Sequence, residues 1–222
     1  MRIQSVEVFR LALPLLTPWR TAYGEDQVIE PILVRLGDGN NFGWGESSPL
    51  STPNYSPESA RTAYIVARDF LSPVVLGQDI SSGEELQDRF SVFKGNFFAK
   101  AAFDTAWWDL HAKHQKMPLW RVLGGENPVV ESGADFGVMD NISLLLKEIE
   151  KSQEQGFARV KLKYSPSWGM EMLRQVRAAF PDTVFHVDCN GAYTLDDLPM
   201  LQRLDEFNLA MIEQPLKYDD LI

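Results

Sequence analysis

Four charged residues in three short apolar runs have the types and spacing that acid–base chemistry requires. Lys161 and Lys163 lie two positions apart in the first run, Asp188 ends the second run, and Glu213 ends the third. Asp188 lies 25 residues after Lys163, and Glu213 lies 25 residues after Asp188. Equal intervals indicate a repeated structural unit that brings these side chains to one place.

The chemistry available to these groups is proton transfer beside a divalent cation. Carboxylates at neighbouring strand ends, here Asp188 and Glu213, are oxygen ligands of the kind that Mg²⁺ prefers, and Mn²⁺ is the alternative ion. Such a cation stabilises the enolate-like anion formed when an adjacent proton is removed. The cation and the ammonium of Lys161 would favour the neutral amine of Lys163, which makes Lys163 a candidate general base. The structural alternative is a pair of lysines that reach the rim and carboxylates in surface ion pairs.

The elements that position these residues alternate between strand and helix patterns, as in a (β/α) barrel. In an extended strand Lys161 and Lys163 project from the same face. A first strand is predicted over 132–138, and Val138 lies 25 residues before Lys163, so that the interval repeats three times. Residues 129–222 are therefore predicted to be the first half of a TIM-type barrel, truncated after the fourth strand. Helices are predicted over 143–155, 168–180 and 196–204.

Residues 1–128 have the pattern of an α+β capping domain, so the expected fold class is α/β with an α+β cap. Three apolar runs predict a three-stranded antiparallel sheet, and the polar, aromatic segment 17–24 and the segment 47–55 predict loops, the first of them mobile. A helix is predicted to open at Ser56 and run to about Phe70, and the strongest helix pattern covers 99–114. A breaker cluster at 123–128 predicts the domain boundary. The three sheet-forming runs cover 3–13, 30–36 and 42–46.

Composition argues against several classes of partner. The net charge is −10 and the pI is near 4.8, whereas nucleic-acid binders concentrate lysine and arginine to neutralise phosphates. The apolar runs are all shorter than the roughly 18 residues of a membrane span. The single cysteine, Cys189, fits a reducing cytoplasm. The sequence thus predicts a cytoplasmic protein with a small-molecule substrate, no nucleic-acid or membrane partner, and homo-oligomerisation left open.

With the capping pattern before them, the charged runs resemble those of the enolase superfamily. The matching segments are VKLK at 160–163, VDCN at 187–190 and MIEQP at 211–215. The lysine pair resembles the muconate-lactonizing subgroup. The segments 190–195 and 212–221 are more narrowly similar to the branch of o-succinylbenzoate synthases and N-acylamino acid racemases, and the resemblance spans the whole chain.

The resemblance implies a role for each matching residue. Lys163 would be the acid–base residue at the substrate α-carbon, Lys161 its electrostatic neighbour, and Asn190 a residue that lines the site. Asp188 and Glu213 would be two of three Mg²⁺ ligands. Two loops that close over the substrate would contribute further substrate-binding residues, namely Arg20, Tyr23 and Tyr55.

The implied reaction is dehydration of a cyclohexadiene carboxylate to o-succinylbenzoate, a step towards menaquinone, by proton abstraction α to a metal-bound carboxylate. Racemisation of N-acylamino acids would share the first step, and a dipeptide epimerase or a muconate cycloisomerase are further alternatives. The family places a third acidic ligand and a second lysine on later strands, beyond Ile222. The chain alone is therefore expected to be an inactive N-terminal portion of a lyase or racemase, with a non-catalytic interaction module as the remaining alternative.

Overall fold

The computed structural model describes residues 1–21, 24–166 and 168–217. Contacts divide the chain into two compact units, and each unit has its own buried apolar core. The first unit comprises Met1–Leu16 and Gln27–Pro128. The second comprises Thr17–Asp26 and Val129–Ile222, so that the tip of an early hairpin groups with the later half of the chain.

Five strands lie in the first 47 residues: β1 Ser5–Arg10, β2 Leu13–Thr21, β3 Gly24–Ile29, β4 Ile32–Gly37 and β5 Phe42–Ser47. Strands β1, β4 and β5 form an antiparallel sheet in that order, which confirms the predicted three-stranded sheet. Alternate residues of β4 are fully buried because one face of the sheet packs on helices. Gly43 and Gly45 allow this packing, since a Cβ at either would collide with the helix backbone at Ala106 or Ala102.

The prediction of a mobile loop at 17–24 is wrong for the residues that the structure describes. Strand β2 continues to Thr21, β3 begins at Gly24, and the two strands pair as a two-stranded sheet. The polar and aromatic composition argued against a core strand, but an antiparallel ribbon can expose its surface to water and needs no apolar face.

The helices of the first unit cover the inner face of its sheet. The helix predicted to open at Ser56 begins instead at Ala60, because Ser59 accepts the N–H of Thr62 and Thr62 in turn accepts the N–H of Ser59. The helical segments are α1 Ala60–Val66, a π-helical turn Ala67–Leu71, α2 Ser72–Val75, α3 Gly83–Phe90, α4 Phe97–His114 and α5 Leu119–Val122.

The second unit is a parallel sheet in strand order, with helices between its strands, as the half-barrel prediction requires. Its strands are β6 Gly133–Phe136, β7 Arg159–Lys163, β8 Val184–Asp188 and β9 Met211–Glu213. Its helical segments are α6 Ile142–Glu154, α7 Met170–Ala179, a 3-10 turn Leu195–Asp197, α8 Leu198–Gln202 and a 3-10 segment Arg203–Phe207. In the described part of the chain, no helix is long and apolar enough to cross a membrane.

Strand register explains two of the three equal intervals. Lys163 lies opposite Asp188, and Asp188 lies opposite Glu213, so one step of 25 residues equals one step across the sheet. The first interval is different, because β6 pairs Asp135 with Lys161, which makes that step 26 residues. The prediction that Val138 continues the series is therefore wrong, since the connection between the first two strands is one residue longer.

Candidate active site

The candidate site lies at the carboxyl ends of three adjacent strands. On β7, Val160 and Leu162 are buried against the helices of the second core. Because strand side chains alternate between faces, Lys161 and Lys163 project to the opposite face of the sheet. The alternation of apolar and charged residues therefore places both lysines on the face that β8 and β9 share.

Asp188 is the centre of an ion-pair network on this face. Lys163 Nζ lies 2.7 Å and Lys161 Nζ 2.9 Å from the same atom, Asp188 Oδ2. Lys161 Nζ also lies 2.7 Å from Glu213 Oε2, so its ammonium bridges the two carboxylates. Asp188 is buried, with 2% of its surface exposed. The four predicted catalytic and metal-binding residues are thus brought together, with two positive and two negative charges in contact.

The network determines the protonation of its central carboxyl. Burial of Asp188 opposes ionisation, but hydrogen bonds from Lys163, Lys161 and the backbone N–H of Asn190 outweigh it and hold the pKa of this carboxyl below its ordinary value. Burial likewise lowers the pKa of Lys161, but hydrogen bonds to Glu213 and Asp188 reverse the direction and raise it. Lys161 is therefore a permanent cation at neutral pH, as its predicted electrostatic role requires.

Asn190 orients Asp188 from the other side. Its backbone N–H donates to Asp188 Oδ1 at 2.9 Å, so the lysines bind one carboxylate oxygen and the chain after β8 binds the other. Its side-chain Nδ2 lies 3.4 Å from Gln214 Oε1. Both Asn190 and Gln214 have positive φ, 48° and 44°, which turns the chain directly after each strand. The predicted contact of Asn190 with substrate stays a prediction.

The hairpin tip in the second unit adds a residue that the sequence reasoning missed. The indole ring of Trp19 lies over the amino group of Lys163, whose Nζ is 5.5 Å from the ring centroid. Arg20 was predicted to bind substrate, but its guanidinium contacts Asp140 Oδ1 at 2.7 Å and Glu25 Oε2 at 2.8 Å. A tryptophan in an otherwise polar segment was the signal that could have found Trp19.

The other two predicted substrate-binding residues are not placed at this site. Tyr23 lies outside the described residues. Tyr55 belongs to the first unit, on the segment between β5 and α1, with 44% of its surface exposed. Their contact with substrate stays a prediction.

The carboxylates fit a divalent cation as part of its ligand set. Asp188 Oδ2 and Glu213 Oε2 both lie within 2.9 Å of one ammonium nitrogen, so their negative charge already converges on a single point. Hard oxygen donors in this arrangement are the ligands that Mg²⁺ and Mn²⁺ take. Among the described residues, no group of three His, Cys, Asp or Glu side chains could hold a metal ion, so these two are a partial set.

A cap of antiparallel sheet and helices, followed by parallel strands that end in this lysine–carboxylate network, is the architecture of the enolase superfamily. Residues 3–124 match the family model "Mandelate racemase / muconate lactonizing enzyme, N-terminal domain", and residues 145–222 match "Enolase C-terminal domain-like". The chain therefore belongs to the mandelate racemase / muconate lactonizing enzyme family.

Relatives with named activities match along the whole chain. It is 43% identical to an o-succinylbenzoate synthase of Geobacillus stearothermophilus and 39% identical to an N-succinylamino acid racemase of Thermus thermophilus, covering 100% of this chain and 60% of each relative. A solved member of the enolase superfamily from Enterococcus faecalis superposes with a TM-score of 0.88 at 38% identity, over 99% of this chain and 60% of that one. The chain thus spans about three fifths of the length of these relatives.

Proposed function

We propose that the chain contributes the acid–base and metal-binding groups of an o-succinylbenzoate synthase-like dehydratase, a Mg²⁺-dependent step of menaquinone biosynthesis in the cytoplasm. The observation that supports this proposal is the shared oxygen of Asp188. It holds the amino groups of Lys161 and Lys163 side by side, at 2.9 and 2.7 Å. The substrate is a small carboxylate whose α-proton is acidic enough to be removed once the resulting negative charge is stabilised.

Each residue has a distinct task in this reaction. Lys163, once neutral, takes the α-proton of the substrate, and the electron pair of the C–H bond moves into the carboxylate. Lys161 remains positive and stabilises the enolate that forms. The same amino group of Lys163 can return its proton to the hydroxyl group that leaves the neighbouring carbon, so the net loss is one water molecule.

The carboxylates and Trp19 prepare this chemistry. Asp188 and Glu213 would hold the divalent cation, which when bound polarises the substrate carboxylate as a Lewis acid. Asn190 keeps Asp188 oriented through its backbone N–H. Trp19 covers Lys163 and limits the access of water to its amino group, because an indole ring over an amine displaces solvent from that side.

The second candidate is racemisation of N-acylamino acids. It is supported by the 39% identity to the Thermus thermophilus racemase and by the same lysine, since both reactions begin with loss of a proton α to a carboxylate. Dipeptide epimerisation begins in the same way.

Exchange of the substrate α-proton with deuterium tests the step that these reactions share. The protein in D₂O with Mg²⁺ is incubated with o-succinylbenzoate precursor, N-succinylamino acids and dipeptides, and exchange is followed by NMR. Lys163→Ala is expected to lower the exchange rate by about 10²–10⁴-fold, because it removes the general base. Lys151→Ala is the matched control, since Lys151 is exposed on α6, far along the chain from the strand ends. Equal exchange rates in the two variants would contradict the proposal.

A further inference from the structure

Asp135 is a charged residue on the same sheet face that the reaction above does not use. It lies opposite Lys161 in the register of β6 and β7, and cross-strand partners in a parallel sheet share a face. The following residue, Phe136, packs against the second apolar core, which confirms that Asp135 points the other way. Its carboxylate is therefore one layer below Lys163 and Asp188, on the side away from Glu213.

This carboxylate has no partner that explains it. Asp135 is exposed and makes no hydrogen bond or ion pair within the ranges that the structure describes. The nearest ammonium across the sheet, that of Lys161, is already engaged by Asp188 and Glu213. Inward positions of barrel strands are usually filled by Val, Ile or Leu, so packing does not account for an aspartate here.

The surroundings of Asp135 leave room for a ligand group. Gly137, two residues further along the chain, has no side chain, and a Cβ placed there would lie 3.9 Å from Trp19 Cζ3 and 3.4 Å from the carbonyl oxygen of Arg20. The edge of the indole ring thus reaches the backbone beyond Asp135, while its face covers Lys163. We call Asp135, Gly137 and Trp19 together the Asp135 niche.

A carboxylate and an indole ring beside an unfilled position are suited to one class of group, an alkylammonium or guanidinium. The carboxylate offers a charge-assisted hydrogen bond and the ring a cation–π contact. We infer that Asp135 determines substrate specificity: it binds the cationic side chain of an N-acylated basic amino acid whose α-carbon lies at Lys163. This inference rests on the proposed function in its racemase form, because it requires the α-carboxylate to be bound at the strand ends.

Binding of two matched ligands tests the inference. Isothermal titration calorimetry in Mg²⁺ buffer compares N-succinyl-L-lysine with N-succinyl-L-norleucine, which has a neutral side chain of similar length. The lysine ligand is expected to bind about tenfold more tightly, as for one hydrogen bond to a charged group. Asp135→Asn keeps the size of the side chain and is expected to reduce the two affinities to within about twofold of each other. Glu131→Gln removes a charge from an exposed position just before β6 and should retain the preference.

Each other result decides against the inference. Equal binding of the two ligands by the unsubstituted protein overturns it without any variant, as does a lysine preference that survives in Asp135→Asn. Binding of norleucine ligand alone also overturns it but leaves the proposed function standing. If neither ligand binds while Mg²⁺ does, the inference and the racemase form of the proposed function fail together.

Discussion

Replacing Asp188 with asparagine removes the charge on which the whole ion-pair network depends. The side chain keeps its shape, but the amino group of Lys163, with 8% of its side chain exposed, loses its only ion-pair partner among the described residues. Lys161 retains Glu213 at 2.7 Å, so one ammonium is stranded and not two. Removing one partner of a buried pair costs about 3–5 kcal/mol, and we expect the lower end, about 3 kcal/mol.

Urea unfolding followed by circular dichroism measures this loss in the metal-free protein. Glu171→Gln is the matched control, because it neutralises a carboxylate in an exposed ion pair on α7, and it should leave the unfolding midpoint unchanged. A loss of less than about 1 kcal/mol in Asp188→Asn would refute the reasoning that Asp188 stabilises two buried ammonium groups.

The same substitution should change the response to acid. The pKa of the Asp188 carboxyl is lower in the folded protein than its ordinary value of 3.8. Its contribution to stability is therefore complete above that ordinary value and is lost as the pH falls through the lower, folded pKa. Between about pH 4 and pH 2 the unsubstituted protein should lose more stability than Asp188→Asn. Parallel pH profiles of the two proteins would show that another group is responsible.

Three further substitutions test other contacts. Arg177→Met should destabilise the second unit by about 2 kcal/mol in urea, because the guanidinium donates to five backbone carbonyls between residues 180 and 208; a smaller loss than in Arg177→Lys would contradict this. Gly45→Ala should cost about 1–3 kcal/mol, since its Cβ would meet the carbonyl of Ala102, and an unchanged midpoint would exclude that close approach. Trp19→Ala and Arg20→Ala should each slow α-proton exchange severalfold, and the double variant should be no slower than Trp19→Ala if Arg20 acts only by holding the ring in place.

Much of the candidate site could be predicted because its residues are ordered by short-range rules. Strand alternation places Lys161 and Lys163 on one face, and parallel strands that follow helices of similar length bring Asp188 and Glu213 beside them. The same rules failed at Val138, where the first connection is one residue longer, because an interval read from the sequence cannot show which strand departs from the average.

What the sequence by itself determined is the fold class, the order of the strands and the identity of the four charged residues, since each depends on periodicity within a few turns or on one repeated connection. What only the tertiary structure decided is which groups meet across long separations. The ion pair of Arg20 with Asp140 joins residues 120 positions apart, and it accompanies the approach of Trp19 to Lys163. No local pattern records such a contact, because its free energy comes from a partner that reaches it only after the chain has folded.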